Sequence, residues 1–230
     1  MKANGERGKP RKAAARRPTL CGEEVPDAGH ICAFFDSSEE KYDVLARYFS
    51  DAIRSGDRVI DVVEASTREE HVRGMSEAGV DMRSAVENGQ LQLSTCEEIY
   101  FRDGRLDLDA VLDMLRLALK SAREEGSCVR TSGEMNWVGR DPSVRQRALE
   151  YEARVNELVP TFDCTMLCVY DLALTPSALI ADILATHPYA VVRGRLRANP
   201  WAVGPDEYLE MLRSRPRGGS DRARRGGFGD

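Results

Sequence analysis

His30 and Cys32 flank a single residue in the apolar run His30-Ile31-Cys32-Ala33-Phe34-Phe35. On an extended strand, residues i and i+2 point the same way, so imidazole and thiol share a face. That pair can ligate zinc, iron or copper, or can activate a thiolate. The structural alternative is a packed cysteine beside a hydrogen-bonded histidine. A transition metal at His30 and Cys32 needs further ligands, and Cys168 and His187 are the candidates, although spacing alone places neither. None of the six cysteines forms a CxxC pair. Cys164 and Cys168 share a strand face but would stand roughly 13 Å apart at about 3.3 Å per residue, too far for one ion.

A second group of candidates follows the apolar runs. Asp36, Glu64, Glu134 and Asp171 each come directly after, or at the end of, such a run. Glu134 precedes Met135 and Trp137, which suits a polar anchor beside an apolar wall; a buried salt bridge closing a sheet end is the alternative. Arg130, Tyr170 and Phe34 complete the candidate binding set. Glu152 and Asn156 are spaced i, i+4 and face together from one helix, toward the strand ends or toward solvent. Tyr151 belongs to the apolar stripe of that helix. His187 precedes Pro188, which stops a helix at that point; it is a helix cap or a site member. His71, among charges on an amphipathic segment, reads as a surface residue.

Hydrophobic periodicity supplies the elements that must hold these residues. Five short apolar runs read as strands: 30–35, 58–64, 90–94, 128–133 and 166–170. Between them lie amphipathic helices. One places Leu45, Tyr48, Phe49, Ala52 and Ile53 on a single face and ends at Gly56. Others cover about 67–78, 107–124 and, opening at Asp141-Pro142, a stripe of Val144, Ala148, Tyr151, Val155 and Leu158. A helix over 176–186, a β-rich piece at 189–192 and a short helix at 205–212 follow. Strands separated by helices imply right-handed crossovers and a mostly parallel α/β sheet covered on both faces. Ligands of such sheets sit beyond the carboxyl ends of the strands.

The chain has 230 residues, 42% hydrophobic and 31% charged, enough for a sizeable core and against wholesale disorder. No apolar run reaches the roughly 18–20 residues of a membrane span, and no apolar segment follows the basic N-terminus as in a secretory signal. A cytoplasmic location is therefore expected. Residues 1–20 carry seven Lys/Arg and one Glu, and residues 213–230 six Arg and two Asp, which leaves the body near −15 against −5 for the whole chain. An acidic body disfavours nucleic acid. The basic ends, 1–27 and 213–230, read as disordered tails flanking one domain, 28–212.

Taken together, the runs 30–36 and 130–137, Gly104, Tyr151-Glu152-Ala153-Arg154-Val155-Asn156, Cys168-Val169-Tyr170-Asp171, Thr186-His187-Pro188 and Asn199-Pro200-Trp201 resemble the MEDS family, the methanogen/methylotroph DcmR-type sensory domain. The resemblance covers about 28–212. It implies a three-layer RecA/KaiC-like fold used for sensing, with small hydrocarbon derivatives as ligands. The chain lacks the G-x-x-x-x-G-K-[ST] loop by which RecA-like ATPases cradle phosphate: Asp36-Ser37-Ser38-Glu39-Glu40-Lys41-Tyr42 has no glycine and several acids. ATPase activity is not expected. The roughly 27 polar residues ahead of the body leave no room for the DNA-binding helix-turn-helix of DcmR-type regulators.

The expectation is a stand-alone sensor that binds a small molecule at the strand carboxyl ends and signals to a separate partner protein. A metal- or thiol-dependent enzyme built on His30, Cys32 and Glu134 and a ligand-free homo-oligomeric scaffold are the alternatives.

Overall fold

The computed structural model describes residues 17–25, 29–102, 105–140, 142–162 and 164–215. Gly104, Asp141 and most of the two basic ends lie outside the described residues. Strands β1 (Thr19–Leu20) and β2 (Glu23–Glu24) form a small hairpin, followed by β3 (His30–Phe35), α1 (Ser38–Ser55), β4 (Arg58–Val63), α2 (Arg68–Glu77) and α3 (Met82–Glu87). Next come β5 (Leu91–Thr95), α4 (Cys96–Tyr100), a hairpin of β6 (Phe101–Arg102) and β7 (Arg105–Leu106), and α5 (Leu108–Glu125). The last third contains β8 (Val129–Glu134), α6 (Trp137–Arg140), α7 (Pro142–Phe162), β9 (Thr165–Asp171) and α8 (Ser177–Thr186). It ends with β10 (Tyr189–Val192), β11 (Arg195–Ala198) and α9 (Pro205–Ser214).

The expected strands and helices are present with boundaries shifted by one or two residues. The short elements β1, β2, α3, α4, β6, β7, α6 and β11 go unsignalled, because a turn or two of helix or a strand of two to four residues carries too little periodicity to read. The main sheet runs β11-β10-β3-β9-β8-β4-β5. All of its pairs are parallel except the edge pair β10–β11.

Local chemistry sets the helix ends. The Ser37 hydroxyl accepts the Glu40 N–H at 3.2 Å to open α1. Gly56 and Gly126 close α1 and α5 at φ +76° and +78°, a left-handed geometry that other residues adopt only with strain. Strand alternation then sorts the core. Ile31, Ala33 and Phe35 pack with Leu45, Tyr48 and Phe49 of α1 on one face. Cys32 and Phe34 pack on the other face with Leu115 of α5, Tyr151 and Val155 of α7 and Ile183 of α8. Residues 17–25, grouped with the tail by composition, include Leu20 and Val25, which are buried in the α1 face.

Two expectations need correction. Arg130 is the second residue of β8 and lies at the amino ends of the strands, away from the proposed binding end. Its Nη1 donates to Asp51 at 2.8 Å and its Nε to Asp57 at 2.7 Å, over the Tyr48 ring. His71 is buried, not exposed; its Nε2 lies 2.8 Å from Asp61 Oδ2, since Asp61 faces α2 from within β4 and requires a partner there.

The Arg130 triad ties α1, the α1–β4 turn and β8 together. Burial opposes ionisation of Asp51, but the Arg130 hydrogen bond and the Thr19 N–H outweigh it and hold the carboxyl below its ordinary range. Arg130→Ala leaves two carboxylates in a buried setting without their cation and is expected to cost about 3–5 kcal/mol in urea denaturation at neutral pH. A loss below about 1 kcal/mol, the scale of exposed pairs, would show that water reaches the triad.

Candidate functional site

The described residues present a buried polar cluster on the α7 face of the sheet, a polar network at the strand carboxyl ends, and an apolar cavity that shares a side chain with the first.

His30 begins β3, Cys168 sits mid-strand in β9, Glu152 projects from α7, and His187 follows α8 directly. One potential ligand atom from each lies within 4.8 Å of the others, and all four residues are buried. The Asn156 amide donates to the Thr186 carbonyl at 2.6 Å, so its Oδ1 is left to accept from His30 Nδ1–H at 3.1 Å. His187 Nδ1–H donates to the Ile183 carbonyl at 2.7 Å. Both rings therefore turn Nε2 inward, with centroids 4.1 Å apart.

Glu152 Oε2 lies 3.1 Å from His30 Nε2, 3.4 Å from His187 Nε2 and 3.5 Å from Cys168 Sγ. Its other oxygen accepts the Tyr170 hydroxyl at 3.2 Å. Burial opposes charge throughout: it lowers the pKa of His30, helped by His187, and raises that of Cys168, helped by Glu152. It also works against ionisation of Glu152, which a proton on the facing His187 or His30 ring would favour.

At the carboxyl ends, Glu134 Oε1 accepts from Lys41 Nζ at 3.0 Å, and Oε2 accepts the Glu64 N–H at 2.9 Å and the Thr67 hydroxyl at 3.2 Å. Glu64 pairs with Arg140. Asn136 Oδ1 accepts the Asp171 N–H, and Asp171 Oδ1 accepts the Ala173 N–H, which caps the turn after β9. These groups line a cavity of about 140 Å³. Burial disfavours ionised Glu134, but Lys41 and the Glu64 N–H more than offset it and keep the carboxyl below its ordinary range.

The third feature is a mostly apolar cavity of about 80 Å³ between the sheet and α5. Its walls include Val62, Leu115, Ala118, Gly133, Tyr151 and Cys168.

His30, Cys168 and His187 thus come together, with Tyr170 orienting their carboxylate. Cys32 does not join them: its thiol is directed to the Tyr189 carbonyl at 3.6 Å. Glu64, Glu134 and Asp171 share the carboxyl-end network. Asp36 pairs with Arg193 at the surface, 2.6 Å away. Phe34 packs on Tyr170, and Trp137 on Tyr100. Glu134, at the carboxyl end of β8, stands at the opposite end of the sheet from His30.

Glu152 is the member that sequence reasoning left undecided, and a signal for it was present. Ala148, Tyr151, Glu152 and Val155 follow the i, i+3, i+4, i+7 pattern, so an acid occupies the buried stripe of α7.

Among solved structures, a KaiC-like protein, PH0186, from the hyperthermophilic archaeon Pyrococcus horikoshii OT3 superposes with a TM-score of 0.51 at 13% identity, covering 78% of this chain and 79% of that one. The flagellar accessory protein FlaH from Methanocaldococcus jannaschii gives a TM-score of 0.46 at 10% identity, covering 77% and 78%. The first of these, with the mostly parallel sheet, marks the fold as three-layer RecA/KaiC-like α/β. No curated protein is significantly similar to the chain in sequence. Among the described residues no helix is long and apolar enough to cross a membrane. The family model for MEDS, the methanogen/methylotroph, DcmR sensory domain, matches residues 29–188. With more than half of its length so matched, this chain belongs to the MEDS family of sensory domains.

Proposed function

We propose that this sensory domain binds a small, largely apolar molecule of a few heavy atoms in the cavity between the sheet and α5, and passes its bound state to a separate protein. The observation that carries the reading is the cavity itself. It is partly open to solvent beside Met114, mostly apolar and about 80 Å³ in volume. An apolar cavity of about 150 Å³ takes benzene, so this one suits a molecule of one to three carbons. Tyr100, Thr131 and Tyr151 at its wall can orient a single polar substituent. Met114 and Leu117 on α5 are exposed beside it, a surface through which a ligand-dependent shift of α5 reaches a partner. Such signalling requires the ligand to favour one conformation over another.

The carboxyl-end network supports a sensor without nucleotide chemistry. Lys41 in the first turn of α1 is already engaged by Glu134, so an incoming phosphate has to compete with an internal carboxylate. Lys41→Ala is expected to lower stability without changing response to ATP, which should produce no thermal shift in either protein. The folded-state pKa of Glu134 lies below its ordinary value, so its stabilising contribution is complete at neutral pH and is lost as pH falls through the folded value. The stability gap between the wild type and Glu134→Gln should accordingly close in acid. A gap that stays constant from neutral pH down to about pH 3 would show that the ionised carboxylate contributes nothing.

For the cavity itself, a panel of one- to four-carbon alcohols, ketones and haloalkanes should contain compounds that raise the melting temperature of the wild type. At 100 times Kd the stabilisation is about 2.7 kcal/mol. Ala118→Leu, which fills the cavity from α5, should abolish that response while the protein stays folded. An unresponsive wild type, or a variant that responds equally, would end this reading.

A further inference from the structure

The buried cluster carries more than a hydrogen-bond network can use. His30 Nδ1–H is committed to Asn156 and His187 Nδ1–H to the Ile183 carbonyl, so both neutral rings present only a lone pair at Nε2. Glu152 Oε2 faces the same point and is also an acceptor. The Cys168 thiol has one proton to offer among three acceptors. Among the described residues, His187 Nε2 is a buried atom with no hydrogen-bond partner, although Glu152 Oε2 lies 3.4 Å away. Such a deficit of donors is what a cation fills.

We propose that His30 Nε2, His187 Nε2, Glu152 Oε2 and Cys168 Sγ form a closed four-ligand site for a divalent transition ion of the zinc or ferrous class. Most of the separations are close to those of tetrahedral coordination. Bonds of about 2.0–2.1 Å to nitrogen and oxygen and about 2.3 Å to sulfur put neighbouring ligand atoms about 3.3–3.6 Å apart. Four of the six separations are 3.1, 3.4, 3.4 and 3.5 Å, and all six lie within 4.8 Å. Charge closes as well: the carboxylate and a thiolate together neutralise a divalent ion, which a buried site requires. Binding releases the thiol proton to solvent. Outer partners are already in place, since Asn156 and the Ile183 carbonyl orient the rings and the Tyr170 hydroxyl holds the second oxygen of Glu152. Imidazole, carboxylate and thiolate together suit zinc or ferrous iron better than hard ions such as magnesium or calcium.

The site stands on these side chains alone, so a protein that binds zinc and ignores hydrocarbons would sustain it while overturning the cavity reading. The test is reconstitution of the full chain with zinc or cobalt(II) under a reducing agent, followed by desalting and elemental analysis. One equivalent per chain is expected, and the cobalt form should show visible bands of tetrahedral intensity with a thiolate-to-cobalt band in the near ultraviolet. Cys168→Ser should lose the ultraviolet band, whereas Cys32→Ser, which removes the neighbouring buried thiol, should keep it. Asn156→Ala should weaken zinc binding by about 10–100-fold while leaving the stoichiometry at one. Should Cys168→Ser fail to fold, the wild-type titration still decides. Well under one-tenth of an equivalent in the wild type, or a thiolate band that survives Cys168→Ser and vanishes in Cys32→Ser, would overturn the proposal.

Discussion

A carboxylate removed from water costs several kcal/mol unless opposite charge or hydrogen bonds meet it, and Glu152 is buried in the middle of an otherwise apolar interface. Much of the α7 side of the molecule answers that constraint. Tyr170 donates from β9 to one oxygen, while His30 and His187, from the start of β3 and the end of α8, converge with Cys168 on the other, where the proposed cation would supply the opposite charge. Asn156, one turn further along α7, locks the same helix to Thr186 and to His30. Four separate elements are thereby held in one arrangement, at a place where apolar packing alone would tolerate sliding of the helix over the sheet.

At the carboxyl ends of the strands the RecA-like layout is retained with its polarity rearranged. In a nucleotide-binding relative of this fold, a lysine early in the first helix meets phosphate. Here Lys41 occupies that helix and meets Glu134, whose second oxygen accepts from the Glu64 backbone and from Thr67. The carboxylate occupies the backbone and side-chain donors that an anion would otherwise use. The strand ends thus become a structural clasp joining α1, β4 and β8, while the apolar cavity lies elsewhere, between the sheet and α5.

How legible this was depends on how local the determining physics is. Strand and helix positions follow from short-range periodicity and capping, and Ser37, Gly56 and Gly126 act where the sequence places them. The shared face of His30 and Cys32 is equally local. Which of the two meets the other cluster members is not, because it depends on β9 lying beside β3 with Cys32 opposite Cys168 and His30 opposite Met166. In that register His30 reaches Cys168 diagonally, while Cys32 turns to the Tyr189 carbonyl on the other neighbouring strand. Arg130 misled for a related reason: its position near Glu134 in sequence said nothing of the length of extended strand between them, which carries it to the far end of the sheet. His71 was read as exposed from its charged neighbours alone; Asp61, an acid inside an apolar strand, already required a buried partner.

Cys168 belongs both to the polar cluster and to the wall of the apolar cavity. A side chain with that dual membership couples the two sites without any long pathway. Its sulfur cannot move toward the cavity without leaving Glu152 and His30, and the well-packed surroundings resist intermediate positions. Under the proposed readings, occupancy of the cavity and the state of the cluster would therefore be linked by direct contact. By thermodynamic reciprocity, whatever one does to the affinity of the other is returned in equal measure. A sensor needs such a junction, since a ligand that interacts equally with two states shifts neither. Under the proposed reading that junction would be a single sulfur atom on the central strand next to β3, shared by the wall of the apolar cavity and the polar cluster.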